Sequence, residues 1–312
     1  MRIAMFGTGS VGGYFGGRLA HAGEDVVFIA RGDHLQTMLT SGLKVDSVKD
    51  EFTVQPVTAT DNPASVGTVD LIVVGVKAWQ VLEAAEAMQP MVGPHTMVLP
   101  LQNGVEAPDQ LAAKIGREHV LGGLCRLIAM IAGPGHIRHV GVEPTIVIGE
   151  LDNARTERIE TVRQLFDKTP GIHIEIAADI QAALWQKFML IAAWSGVGAV
   201  TRSPVGIFRS QSGSRQMLQQ TLTEIESVAR ARGIRLPEDV VASTLGFFDS
   251  LPGEGTASMQ RDVMEGRPSE LEYQNGAVVR LGEDAGVQTP VNAFIYNSLL
   301  PMELRARGEL DF

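Results

Sequence analysis

The chain has 312 residues, 45% of them hydrophobic and 20% charged, and a formal net charge of −10. This is the balance of an ordinary folded protein with room for two domains, and the negative charge excludes a nucleic-acid partner, which needs a positive footprint. The single cysteine, Cys125, excludes an internal disulfide and fits a reducing, cytoplasmic location; within the apolar run GGLCRLIAMIAG it reads as core packing rather than as a nucleophile.

The N-terminus runs directly into RIAMFG (2–7), a strand-like apolar run ending in glycine, so no signal peptide is expected. YFGGRLAHAG (14–23) reads as a helix, VVFIAR (26–31) as a second strand and VDLIVVGVK (69–77) as a third. WQVLEAAEAMQPMV (79–92) has helical periodicity, and TMVLPLQNG (96–104) is a strand that ends in a loop. GHIRHV (135–140) and TIVIGE (145–150) look like strands paired with one another. RTERIETVRQLFDK (155–168) follows as a helix and IHIEI (172–176) as a last strand. Strand–helix alternation of this kind predicts a parallel sheet covered by helices.

From about residue 178 helices take over, at 179–200, 212–233, 237–250, 256–265, 269–285 and 291–307. The expected fold is therefore an α/β Rossmann domain with a parallel sheet over residues 1–177, then an all-α domain over 178–312 that serves substrate binding and dimerisation. Apolar helices such as 291–300 suit either a homodimer interface or the core. The most membrane-like stretch, FMLIAAWSGVGAVT (188–201), falls short of the roughly 18 apolar residues of a spanning helix, so no membrane association is expected. His136 and His139 have no further ligands nearby in sequence, so no metal is expected either.

The motif Gly7-Thr8-Gly9-Ser10-Val11-Gly12 is a GxGxxG placed between a strand and a helix. In that context it reads as a dinucleotide loop: the first glycine makes the turn, the second lets the backbone approach a pyrophosphate, and the third allows close helix–strand packing. At the end of the second strand an NAD site usually carries an acidic residue for the ribose hydroxyls. Here Arg31 stands there, a guanidinium suited to a 2′-phosphate, and the expected cofactor is NADPH/NADP+. Lys77 and Asn103 end two further strands, on the sheet edge where open α/β sheets bind ligands.

In the second half Lys187 heads a run without another charge until Arg202, and positions 187, 191 and 195 share a helix face that carries Lys187, Ile191 and Ser195. By residue type alone Lys187 reads as a snorkelling core-helix lysine. Ser269 and Glu272 form an S-x-x-E capping box, which places Glu270 in a first helical turn. Ser258 precedes another short helix.

Taken together, the N-terminal GxGxxG, Arg31, VKAWQV around Lys77, QNG at Asn103, LWQK at Lys187 and S-M-x-x-D…S-E-L-E-Y-x-N-G from Ser258 to Gly276 resemble the ketopantoate reductase family. The match covers essentially the whole chain in order. The resemblance implies NADPH-dependent reduction of 2-dehydropantoate to D-pantoate, on the path to pantothenate and coenzyme A. It implies Lys187 as the general acid, Glu270 as the carboxylate bonded to that lysine or to the substrate hydroxyl, and Ser258 as a substrate-binding hydroxyl. Lys77 and Asn103 then belong to the nicotinamide–ribose end, with Asn103 also reaching the substrate.

The family's asparagines four and eight residues after the lysine, and three before the serine, are replaced here by Ile191, Ser195 and Gly255. These replacements suit a bulkier, less polar 2-oxo acid, as in D-2-hydroxyacid dehydrogenases of the same superfamily. A non-catalytic NADPH-binding sensor is the third reading, and it has no need of Lys187 or Glu270.

Overall fold

The runs RIAMF, DVVFI, LIVV and MVLP are apolar at nearly every position, as strands buried on both faces must be. The computed structural model describes residues 1–312. Its first half runs β1 (Arg2–Phe6), α1 (Ser10–His21), β2 (Asp25–Ile29), α2 (Gly32–Ser41), β3 (Leu43–Ser47), β4 (Glu51–Val54), β5 (Thr58–Thr60), β6 (Leu71–Val74) and α3 (Val81–Ala87). It continues with β7 (Met97–Pro100), α4 (Ala107–Ile115), β8 (Gly122–Arg126), β9 (Ala129–Gly133), β10 (His136–His139), β11 (Thr145–Gly149), α5 (Glu157–Asp167) and β12 (His173–Ile176).

The central sheet has the order β5-β2-β1-β6-β7 and is parallel throughout. Alternate residues of β1 feed opposite faces. Ile3 and Met5 join a core with Tyr14 and Phe15 of α1, while Ala4 and Phe6 join another with Val81 and Ala85 of α3. Parallel strands all point the same way, so the loops after β1 and β6 open on the same edge.

GHIRHV and TIVIGE are strands but do not pair with one another. β10 lies parallel to β3 and antiparallel to β9 in a four-stranded sheet, whereas β11 lies between β12 and β8 in a three-stranded one. The apolar run GGLCRLIAMIAG likewise divides between β8 and β9, in different sheets. Cys125 is buried in β8, its thiol 3.6 Å from the Leu101 carbonyl. His136 bonds Asp46 at 2.6 Å, and His139 bonds Ser47 at 2.8 Å, so both histidines serve the four-stranded sheet and its loops.

After β12 the chain is helical: α6 (Ile180–Thr201), α7 (Val205–Phe208), α8 (Ser212–Ala231), α9 (Val240–Ser250), α10 (Ser258–Met264), α11 (Asn275–Asp284) and α12 (Pro290–Ala306). Two compact units result, one of residues 1–102 and 106–180, the other of 103–105 and 181–312. The short piece Asn103–Val105 thus belongs to the helical unit, where Val105 packs against the core. The helix α6 is long and apolar enough to cross a membrane by length and composition, at 22 residues, more than the 188–201 run suggests. Trp185, Phe188, Met189, Ala192 and Val197 on it are core residues of the helical unit. On α12, Ile295 and Leu299 are core, whereas Phe294 is 60% exposed.

Candidate active site

The glycine loop leaves β1 at Gly7, whose φ of +93° is a conformation that only glycine adopts without strain. The amides of Gly7 and Thr8 and the Thr8 hydroxyl all bond the Ile29 carbonyl, at 3.2, 3.1 and 3.0 Å, which ties the loop to the end of β2. A Cβ at Gly12 would run into the Gly7 carbonyl oxygen, whereas a Cβ at Gly9 would meet nothing within 4 Å. The open space therefore lies at the second glycine, the place where a pyrophosphate must come close to the backbone. Ser10 and Val11 open α1, which has no side-chain cap and no acidic residue in its first turn. Its first amides are thus left to an anion. On these grounds the loop fits a dinucleotide.

Arg31 caps the start of α2 and is exposed. Its guanidinium donates to Glu83 Oε1 at 2.9 Å, and both side chains are more than half exposed. Glu83 is the residue that sequence reasoning missed. The test for an acid at the end of β2 finds arginine, yet a carboxylate reaches that arginine from α3, 52 positions along the chain. No local pattern announces such a pair. Lys77 follows β6, with its ammonium 5.6 Å from the Trp79 ring centroid and its amide donating to Gln80 Oε1 at 3.2 Å. Gln102 was also missed: buried, it donates from Nε2 to the Val74 and Val76 carbonyls at 2.8 and 3.1 Å, holding the end of β6.

In the helical unit Asn103 and Glu270 meet, though 167 positions separate them. Asn103 Nδ2 donates to Glu270 Oε2 at 3.1 Å, so the asparagine is one partner of this carboxylate. Glu270 is buried, and the residue before it is anchored from behind. The Ser269 hydroxyl donates to Glu303 Oε2 at 2.5 Å, its amide donates to both Glu303 oxygens, and Arg307 bonds Glu303 Oε1 at 2.7 Å and the Ser269 carbonyl at 2.9 Å. This network replaces the expected capping box. Residues 271–274 form turns, the helix starts only at Asn275, and Glu272 accepts from Tyr296 at 2.5 Å and pairs with Arg280. Glu270 therefore sits in a bend before the turns, not in a first helical turn. Burial and the hydrogen bond donated to the Glu272 carboxylate push the Tyr296 hydroxyl up to about 12, so it remains a neutral donor.

Lys187 is half-buried on α6, as is Ile191 one turn on, whereas Ser195 is only 1% exposed. The face read from spacing thus splits, with Lys187 and Ile191 accessible and Ser195 inside. Ser258 is exposed at the first position of α10, a helix held by the buried Gln260, which accepts from the Ala257 amide at 3.2 Å and donates to the Ser203 carbonyl at 2.9 Å.

Residues 3–153 match the family described as Ketopantoate reductase PanE/ApbA, and residues 179–303 match Ketopantoate reductase PanE/ApbA C terminal. The chain belongs to the ketopantoate reductase family. A 2-dehydropantoate 2-reductase of Nostoc sp. (strain PCC 7120) is 29% identical over 315 residues, covering 99% of this chain and 98% of that protein. The crystal structure of a PanE/ApbA family ketopantoate reductase from Ralstonia eutropha JMP134 superposes with a TM-score of 0.90 at 32% identity, covering 98% of this chain and all of the other. A structure of D-mandelate dehydrogenase with NADH and anilino(oxo)acetate shares the fold, with a TM-score of 0.87 at 24% identity over 98% and 99% of the two chains. The fold of this oxidoreductase family is thus shared with a protein named for a different acid.

Proposed function

We propose that this ketopantoate reductase family member reduces the C2 ketone of a 2-oxo acid to the 2-hydroxy acid in the cytoplasm. The carrying observation is a half-buried lysine at the head of the accessible face of α6, in the same unit as a buried carboxylate fixed by Asn103. NADPH, held by the Gly7–Gly12 loop with its 2′-phosphate on Arg31, would supply the hydride. Lys187 donates the proton to the carbonyl oxygen as negative charge develops there, and its ammonium stabilises that charge before transfer. Glu270 and Asn103 orient the substrate's polar groups, Ser258 offers a further hydroxyl, and Lys77 lies toward the nicotinamide ribose.

The first substrate to test is 2-dehydropantoate, reduced to D-pantoate, because the motifs around Lys187, Glu270, Ser258 and Asn103 resemble those of the ketopantoate reductase family. A second reading, a bulkier and less polar 2-oxo acid, is favoured by Ile191 on the accessible face. Both readings are tested by following NADPH oxidation with a panel of 2-oxo acids that includes 2-dehydropantoate. Turnover of 2-dehydropantoate above all others supports the first, and preference for an apolar acid supports the second. Absence of turnover with every acid defeats both and favours a cofactor-binding sensor.

A further inference from the structure

Gly198 lies in the buried stretch of α6, and its φ is not positive, so the backbone makes no demand for glycine there. Inside a helix glycine is less stable than alanine. What the missing Cβ provides is room: a Cβ at 198 would lie 2.5 Å from Gln260 Oε1 and 2.7 Å from its Cδ. Gln260 is fully buried, and a buried amide carries a desolvation cost that leucine in its place would not. Two locally unfavourable residues thus meet at one contact, the mark of a requirement beyond packing.

The amide fixes the start of α10. Ala257, the residue before that helix, has no side-chain oxygen with which to cap it. Gln260 supplies the reciprocal half of a cap by accepting from the Ala257 amide at 3.2 Å. Its Nε2 donates to the Ser203 carbonyl at 2.9 Å, and the Ser203 amide donates to the Gly198 carbonyl at 3.3 Å, which closes the link back to α6. Upstream, the Val205 amide bonds the Gly255 carbonyl at 2.9 Å and the Gly206 amide bonds the Gly253 carbonyl at 2.8 Å. Ser258 lies between these two fixings and is exposed. Gly255 packs against the Trp194 indole as Gln260 packs against Gly198. Positions 194 and 198 both stand within about 20° of the Lys187 line, about 10 and about 16 Å along the helix. The segment that bears Ser258 therefore lies on the lysine's side of α6, with Gly255 at the end nearer the lysine.

We propose that Gln260 is the positioning residue of the Ser258 hydroxyl. Seated in the notch left by Gly198, its amide sets where Ser258 stands on the helix that carries Lys187, so the substrate meets a hydroxyl and a proton donor held on one rigid element. This rests on the reduction at Lys187 and on Ser258 as a substrate-binding group, both proposed above. Gln260 touches neither substrate nor cofactor; it acts through Ser258, and its loss is felt in binding of the acid rather than in proton transfer.

The test is a double-mutant cycle between Gln260→Leu and Ser258→Ala, run with NADPH and with the acid of the panel above that the wild type turns over fastest. Gln260→Leu is expected to raise KM for the acid about tenfold or more, with kcat changed by less than about threefold and NADPH affinity unchanged. In the Ser258→Ala background the same substitution adds nothing further to KM, since the group through which it acts is already gone. Gly198→Ala pushes on the amide from the other side and gives the same pattern, and it carries the cycle alone if Gln260→Leu does not fold. An unchanged KM, or a rise by the same factor with and without the Ser258 hydroxyl, overturns the proposal while the reductase reading stands. If the wild type turns over no acid of the panel, both fail.

Discussion

In the Gly7–Gly12 loop the candidate binding groups are backbone amides, spaced by three glycines within six residues. In the helical unit the candidates are side chains at positions 103, 187 and 270, and the contact between two of them, Asn103 and Glu270, exists only once distant segments have folded together. A backbone site depends on what is missing, namely Cβ atoms at chosen places. A side-chain site depends on what is supplied and on what holds it. The first tolerates many sequences between its glycines, whereas the second, on the function proposed above, would change specificity with single residues such as Ile191 while keeping its lysine.

The sharpest way to break the contrast is Lys187→Ala, which should lower turnover by about 10²–10⁴-fold and leave cofactor affinity unchanged. Single-turnover kinetics and cofactor titration check this; an unchanged rate removes the lysine from the mechanism. Next come two alanine substitutions in the glycine loop. Gly12→Ala forces a methyl group into the Gly7 carbonyl and should cost about 1–3 kcal/mol or more. Gly9→Ala meets open space and should leave thermal stability within about 0.5 kcal/mol, yet weaken dinucleotide binding. Equal melting temperatures for the two variants would contradict the geometry.

Arg31→Ala should weaken NADPH by about 10- to 100-fold and NADH far less, since a hydrogen bond to a charged group is worth roughly 1.5–3 kcal/mol. Glu83→Gln, which releases Arg31 from its surface pair, should change NADPH affinity by only a few-fold, in the favourable direction. A large gain for NADPH, or a large loss for NADH, would show that Glu83 takes part in cofactor choice. Ser269→Ala should cost about 1–3 kcal/mol because it leaves Glu303 short of a buried partner, and it should raise KM by loosening Glu270.

The smallest effect concerns acid stability. Arg18 hydrogen-bonds Asp50 at 2.5 and 2.7 Å and holds its carboxyl below the usual range. A carboxyl depressed in the folded state stabilises the fold above its unfolded pKa, so this contribution is present at neutral pH and lost as pH falls below about 4. Asp50→Asn should flatten that limb of the pH–stability curve.

Much of the fold was legible. β1, β2, β6 and β7 are short apolar runs, and the helices after residue 179 follow the 3.6-residue period. β3 and β4, LKVDS and EFTV, were not legible, because half-buried strands with charges at alternate positions resemble loop. The pairing of β10 and β11 was misjudged because neighbours in sequence need not be neighbours in a sheet, and here each strand finds its partners elsewhere. At the site the glycines were readable from local spacing. The Arg31–Glu83 pair, the Gln102 clip and the Ser269–Glu303 anchor were not, since each joins positions more than 30 residues apart or separate elements. The capping box was a true local pattern that lost to tertiary bonds: Ser269 turned to Glu303 and Glu272 to Arg280 and Tyr296.

The Ser269 anchor also fixes an order of events during synthesis. N-terminal units fold first as a chain emerges, and the glycine loop needs only early residues. Glu303 and Arg307 lie 34 and 38 residues after Ser269, so Glu270 cannot be set in its final position until the segment that carries them has been made. On the function proposed above, a nascent chain would hold dinucleotide before it could reduce anything, and removal of α12 would leave a protein that loads cofactor but is slow to turn over.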